Sequence, residues 1–196
     1  MTPAKELTRD DIMDMAAYGA IRMERRREIV ADKKNRRVHI GPHATFYFEN
    51  YLTMWLQVHE MLYIEKGGEA QIPDELNAYN PLIPNGRELI ATVMFEIDDP
   101  AKRAAVLGEL GGVEETFFLS IDGAEVTATA ETDVDRTSAE GKASSVQFVH
   151  FHLTDDQAAK LKGGAGEAIL GIKHPAYSHM TILAPATRAA LAGDLD

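Results

Sequence analysis

The chain has 196 residues, 45% of them hydrophobic and 26% charged, a composition that suits one globular domain large enough to bury a core without staples. It contains no cysteine, which excludes disulfides, thiolate zinc sites, cysteine-ligated iron–sulfur clusters and cysteine nucleophiles. The net charge is −11, yet residues 1–37 hold 10 basic and 7 acidic side chains, so the acidic excess belongs to the rest of the chain.

The N-terminus MTPAKELTRDD has no apolar core of the kind a secretory signal needs. No apolar run approaches the ~18 residues of a membrane span. A cytoplasmic protein without membrane association is expected. Thr8, followed by Asp10 and Asp11, reads as a helix start, with the acidic residues where the helix dipole favours them. A helical arm is predicted from there to about Arg36, broken near Gly19 to Met23. On a helix of ~3.6 residues per turn, Arg22, Arg25, Arg26, Lys33, Arg36 and Arg37 share one arc. This stripe is expected to meet solvent, an acidic partner surface or an anion. Nucleic acid is disfavoured, because the acidic body repels a polyanion and no aromatics interleave with the arginines.

Residues 38–48 alternate, with Val38, Ile40, Ala44, Phe46 and Phe48 on one face, interrupted at Gly41-Pro42; two short strands or one bulged edge strand are predicted. Residues 50–66 switch to helical spacing, with Leu52, Trp55, Val58, His59 and Leu62 on one face and Gly67-Gly68 at the end. Pro73 opens a short helix, and AYNPLIPNG, from Ala78 to Gly86, reads as a turn-rich loop. Leu89, Ala91, Val93, Phe95 and Ile97 then form a strand face opposite Glu88, Thr92 and Glu96. Asp99-Pro100 caps a helix that ends by Gly111, and Asp122-Gly123 between 115–121 and 124–130 signals a hairpin. The polar stretch 131–145 reads as a binding loop, a lid or a mobile segment. A strand at 146–153, a helix capped by Thr154 and Gln157, a last strand at 167–173 and a helix opened by Pro185 complete the chain. The order predicts an α+β fold: a mainly antiparallel sheet with flanking helices, one domain over residues 1–196 with 1–37 as an arm.

No phosphate loop, dinucleotide glycine pattern, serine elbow or zinc-protease helix is present. The chemistry rests on seven histidines. His150 and His152 are two apart on a strand, hence on one face ~6.6 Å apart, a spacing that can clasp a metal if a third histidine or a carboxylate completes the set. A plain polar face would look the same. His174, Tyr177 and His179 follow what reads as the last strand, where they can converge on a ligand or cap a turn. His43, with Glu49 close by in sequence, is a second candidate for proton transfer or for a hydrogen-bonded structural role.

At Arg36-Arg37, GPH (Gly41 to His43), Phe48-Glu49, EML (Glu60 to Leu62), AYNPLIP (Ala78 to Pro84) and HPxYxH (His174 to His179), the chain resembles a bacterial family known as a domain of unknown function. The resemblance spans nearly the whole chain and brings no established activity. Its members' genes sit near iron–sulfur oxidoreductases and rubrerythrin-like proteins, which implies a redox or peroxide-stress setting. The His150/His152 pair lies outside the family pattern, which favours a ligand site at His43, Glu49, Tyr79, Asn80, His174, Tyr177 and His179. The first function this suggests is a non-catalytic accessory protein, a homodimer that docks a redox partner. The alternative is a small-molecule or metal-dependent enzyme with a His/Glu/Tyr pocket.

Overall fold

Thr8 and Asp11 close a capping box over a single 3-10 turn, Arg9–Asp11, but the long N-terminal helix begins later. That helix, α1 (Met15–Lys33), is capped by Asp14, whose carboxylate accepts from the N–H groups of Ala16 and Ala17. The computed structural model describes residues 5–131, 136–139 and 141–196. α1 runs unbroken through Gly19, against the expected interruption. The glycine serves close packing instead: a Cβ there would lie 3.0 Å from the Tyr63 ring. The helix also stops at Lys33, so Arg36 and Arg37 do not extend it.

Five further helices follow: α2 (Tyr51–Glu65), α3 (Ile72–Tyr79), α4 (Pro100–Gly108), α5 (Asp155–Gly163) and α6 (Pro185–Ala192). α2 buries Met54, Val58, His59 and Leu62, while Leu52, expected on that face, is exposed. The helix is apolar over most of its circumference, so periodicity alone did not select which stripe meets the sheet.

The strands form two antiparallel sheets. The first comprises β1 (Arg37–Ile40), β2 (Ala44–Phe48), β3 (Glu88–Phe95), β6 (Thr129–Ala130) and β7 (Val146–His152), in the order β1-β2-β3-β7-β6. The second comprises β4 (Phe117–Ile121), β5 (Ala124–Thr127), β8 (Ala168–His174) and β9 (Tyr177–Ile182), in the order β5-β4-β8-β9. The fold is α+β. Gly41-Pro42 marks a turn between two strands rather than a bulge. The Asp122-Gly123 hairpin forms with both turn residues at positive φ, though its strands are shorter than expected and residue 115 lies in a 3-10 turn. The strand at β8 is not the last, because β9 pairs back on it from Tyr177. Within the polar stretch, residues 132–135 and 140 lie outside the described residues, while Thr137 bridges Ala143 and the Ala143 N–H bonds Leu107.

The first sheet is covered along one face and over part of the other. One face packs Phe46, Phe48, Val93 and Phe151 against Phe117, Leu119 and Leu170 of the second sheet, with Phe46 and Phe117 edge to face at 5.4 Å. The opposite face carries Ile90 into a second cluster with Leu7, Ile12, Met54, Val58 and Leu62. The segment expected as an arm is thus packed through Leu7 and Ile12. At its far end Arg36 is buried, donating both terminal nitrogens to Asp194 at 2.6 and 2.9 Å and its Nε to Asp32. Among the described residues no helix is long and apolar enough to cross a membrane.

One hydroxyl ties the two sheets together. Tyr177 Oη accepts from the backbone N–H groups of His43 and Ala44 at 2.7 and 3.0 Å, and donates to the Ile40 carbonyl at 2.8 Å. The β1–β2 turn reaches that close because Gly41 has no side chain: a Cβ, at its φ of +63°, would lie 2.6 Å from the His179 ring. Tyr177→Phe leaves these three groups without their partner in a closed site. A loss of about 1–3 kcal/mol is expected, read as a fall in melting temperature of about 2–4 °C per kcal/mol. An unchanged melting temperature would mean that water replaces the hydroxyl.

Candidate functional site

The side of the first sheet that faces α1–α3 carries polar side chains at one end. The β3–β7 register sets Glu88 opposite His152 and Ile90 opposite His150, so alternation brings Glu88, His150 and His152 to the same face. Glu88 is 6% exposed, and its Oε2 lies 3.0 Å from His150 Nδ1 and 3.2 Å from His152 Nδ1. The two imidazoles stack with centroids 5.8 Å apart. One ligand atom from each of Glu88, His150 and His152 can be chosen so that all lie within 4.8 Å of one another. On the far side of the His150 ring, Nε2 lies 2.7 Å from Glu131 Oε1.

His150 is therefore held between two carboxylates. Burial opposes charge on the ring, but the hydrogen bonds it donates to Glu88 and Glu131 outweigh this, and the His150 pKa is raised. Carboxylate–imidazole–metal chains use this arrangement: the outer carboxylate takes one N–H and turns the other nitrogen's lone pair toward the ion. The side chain of His152 is 59% exposed, so the cluster opens to solvent on that side.

Beyond Glu131 lies a cavity of about 280 Å³ lined by Asn77, Tyr79, Pro81 and Phe148. Tyr79, Leu82 and Phe148 also line a second cavity, of about 430 Å³, that reaches Glu49 and Lys33. The AYNPLIP segment thus contributes Tyr79 and Leu82 to the lining of both cavities. Asn80, expected at a ligand site, lines neither cavity and exchanges two hydrogen bonds with the backbone of Leu7.

The family model described as "Protein of unknown function (DUF3501)" matches residues 6–195. The chain belongs to this family. A crystal structure described as a novel protein of unknown function from Burkholderia pseudomallei K96243 is 41% identical, superposes with a TM-score of 0.90, and is matched over 97% of this chain and 99% of that one. No curated protein matches the chain.

The residues named for the DUF3501 resemblance do not meet in one cleft. His43, Tyr177 and His179 come together at the β1–β2 turn, with the Tyr177 ring centroid 6.4 Å from that of His43 and 4.7 Å from that of His179. His174 sits apart, Nε2 against the Gly111 carbonyl and Nδ1 accepting from Ala176 N–H. Glu49 and Tyr79 line the larger cavity. Tertiary structure disperses the basic stripe as well. Arg22 forms a two-pronged pair with Glu60, Arg26 approaches the same carboxylate, Arg36 is inside, Arg37 lies over the Tyr47 ring and Lys33 lines the cavity. Glu88 and Glu131 were not singled out from sequence. A signal existed for Glu88: it opens one strand while His152 closes another, and antiparallel pairing sets such ends opposite each other.

Hydrogen bonds from Arg22, working against burial and aided by Tyr18, hold the Glu60 carboxyl down at about 2, from an ordinary value of 4.5. A lowered folded value stabilises above the unfolded value and is lost as pH falls through the folded one. Glu60→Gln is therefore expected to be less stable than the parent at pH 7, with the gap closing between pH 4.5 and about 2 in denaturant titrations. A gap independent of pH would show that packing, not charge, is what the substitution removes.

Proposed function

We propose that the protein binds one first-row divalent metal ion through Glu88, His150 and His152, with Glu131 orienting His150. The observation that carries this is the shared Glu88 Oε2, 3.0 and 3.2 Å from the Nδ1 atoms of the two histidines. Ligands ~2.0–2.1 Å from a tetrahedral ion stand about 3.3 Å apart, so these separations already approximate edges of a coordination polyhedron. An ion bound by His150 Nδ1 and Glu88 Oε2 would replace the hydrogen bond between them, so uptake would be coupled to proton release.

Two histidines and one carboxylate leave positions for water or substrate. With zinc this gives a metal-bound water of lowered pKa, and with iron(II) the three-ligand face used in oxygen chemistry. The second case would fit the redox setting implied by the family resemblance. The solvent-facing His152 supplies the access that either chemistry needs.

Metal-stripped protein titrated with Zn(II), Fe(II) under argon and Co(II) is expected to take up one equivalent, with Co(II) visible bands reporting the geometry. His150→Ala and Glu88→Gln abolish uptake, and Glu131→Gln weakens it about 10–100-fold. Equal uptake by the parent and the folded His150→Ala and Glu88→Gln variants would refute the site and leave the cluster as a hydrogen-bonded clasp between β3, β7 and the chain after β6.

A further inference from the structure

The larger cavity contains a charge that folding has left partly unanswered. Glu49 follows β2 and is 8% exposed. Its Oε1 accepts from Thr92 Oγ1 at 2.8 Å, while Oε2 has no hydrogen-bond partner among the described residues and is not sealed in the core. Glu49 lines a cavity of about 430 Å³, within the ~300–1,000 Å³ of small-ligand clefts. A carboxylate oxygen beside a cavity with no donor of its own is open to a ligand that supplies one.

A second charge lines the same cavity. Lys33, the last residue of α1, has no ion-pair partner among the described residues and stands beyond ion-pair distance of Glu49. One anion and one cation thus share a lining without neutralising each other, and Met54, Met94 and Phe148 supply an apolar surface in the same cavity. Unlike charges held apart with an apolar surface are complementary to a small zwitterion with an apolar body.

We infer that this cavity binds an apolar amino acid, its ammonium group on Glu49 Oε2 and its carboxylate on Lys33. A ligand with only an amine or only an acid would leave one lining charge unmatched, which is how the cavity selects against both. This inference is independent of the metal reading, since neither Glu49 nor Lys33 belongs to the Glu88 cluster.

The test is calorimetric titration of the full chain, in the presence of a chelator, with L-leucine, L-methionine and L-phenylalanine. Each is compared with the amine lacking its carboxylate and the acid lacking its amine. At least one amino acid is expected to bind saturably, with both of its partial analogues at least tenfold weaker. Glu49→Gln, which keeps an oxygen for Thr92, is expected to weaken the amino acid at least tenfold and leave the acid analogue unchanged. Lys33→Met should weaken the amino acid and leave the amine analogue unchanged. Saturable binding by none of the three, an amine or acid that binds as tightly as its parent, or Glu49→Gln binding like the unaltered chain would each overturn the proposal.

Discussion

The constraint from which the rest follows is that the first sheet is buried along one face and over the middle of the other. A sheet with one wet face can place polar side chains there at no cost. Here the face opposite the second sheet is covered by α2, α3 and the N-terminal segment through Leu7, Ile12, Met54 and Ile90. Of the polar residues that alternation sends to that face, Glu88 is buried and Thr92 and His150 are half-buried at the margin of this cover, and each pairs with another side chain. They divide into two groups: Thr92 turns to Glu49, and His150 takes two carboxylates. Both candidate sites are products of this one burial.

The segments that close the structure are structural in a specific way. Tyr177 pins the β1–β2 turn to the second sheet through one hydroxyl, and Gly41 makes room for it. Arg36 joins the end of the N-terminal segment to Asp194 near the C-terminus; burial raises the Asp194 pKa even though the Arg36 bonds oppose that. Motifs that resembled a ligand-binding constellation thus include residues whose work is to hold sheets and termini together. Asn80 belongs with them, since its amide carries the backbone of Leu7 as a strand partner would.

Most element types were legible in the chain. The Asp122-Gly123 turn, the Thr154–Gln157 capping box, the Asp99-Pro100 helix start and the alternation through 38–48 are local signals, decided by φ preferences and by hydrogen bonds within a few residues. β9 was missed because His174 to His179 is crowded with ring side chains and a proline that read as a loop, while its strand state depends on pairing with β8. The unbroken path of α1 through Gly19 was missed for a similar reason. A glycine that weakens a helix locally is retained when a neighbouring ring needs the space.

The site divides along the same line. The sequence by itself determined that His150 and His152 share a face, since a strand alternates whatever it pairs with. It also determined that no thiolate chemistry is available, because no cysteine is present. Only tertiary structure decided that Glu88 meets both histidines, that Glu131 closes on the far nitrogen, and that Glu49 and Lys33 line one cavity. These juxtapositions bring together residues 16 to 64 positions apart. Register and helix placement, which depend on how whole faces bury, settle such contacts, and no local preference encodes them.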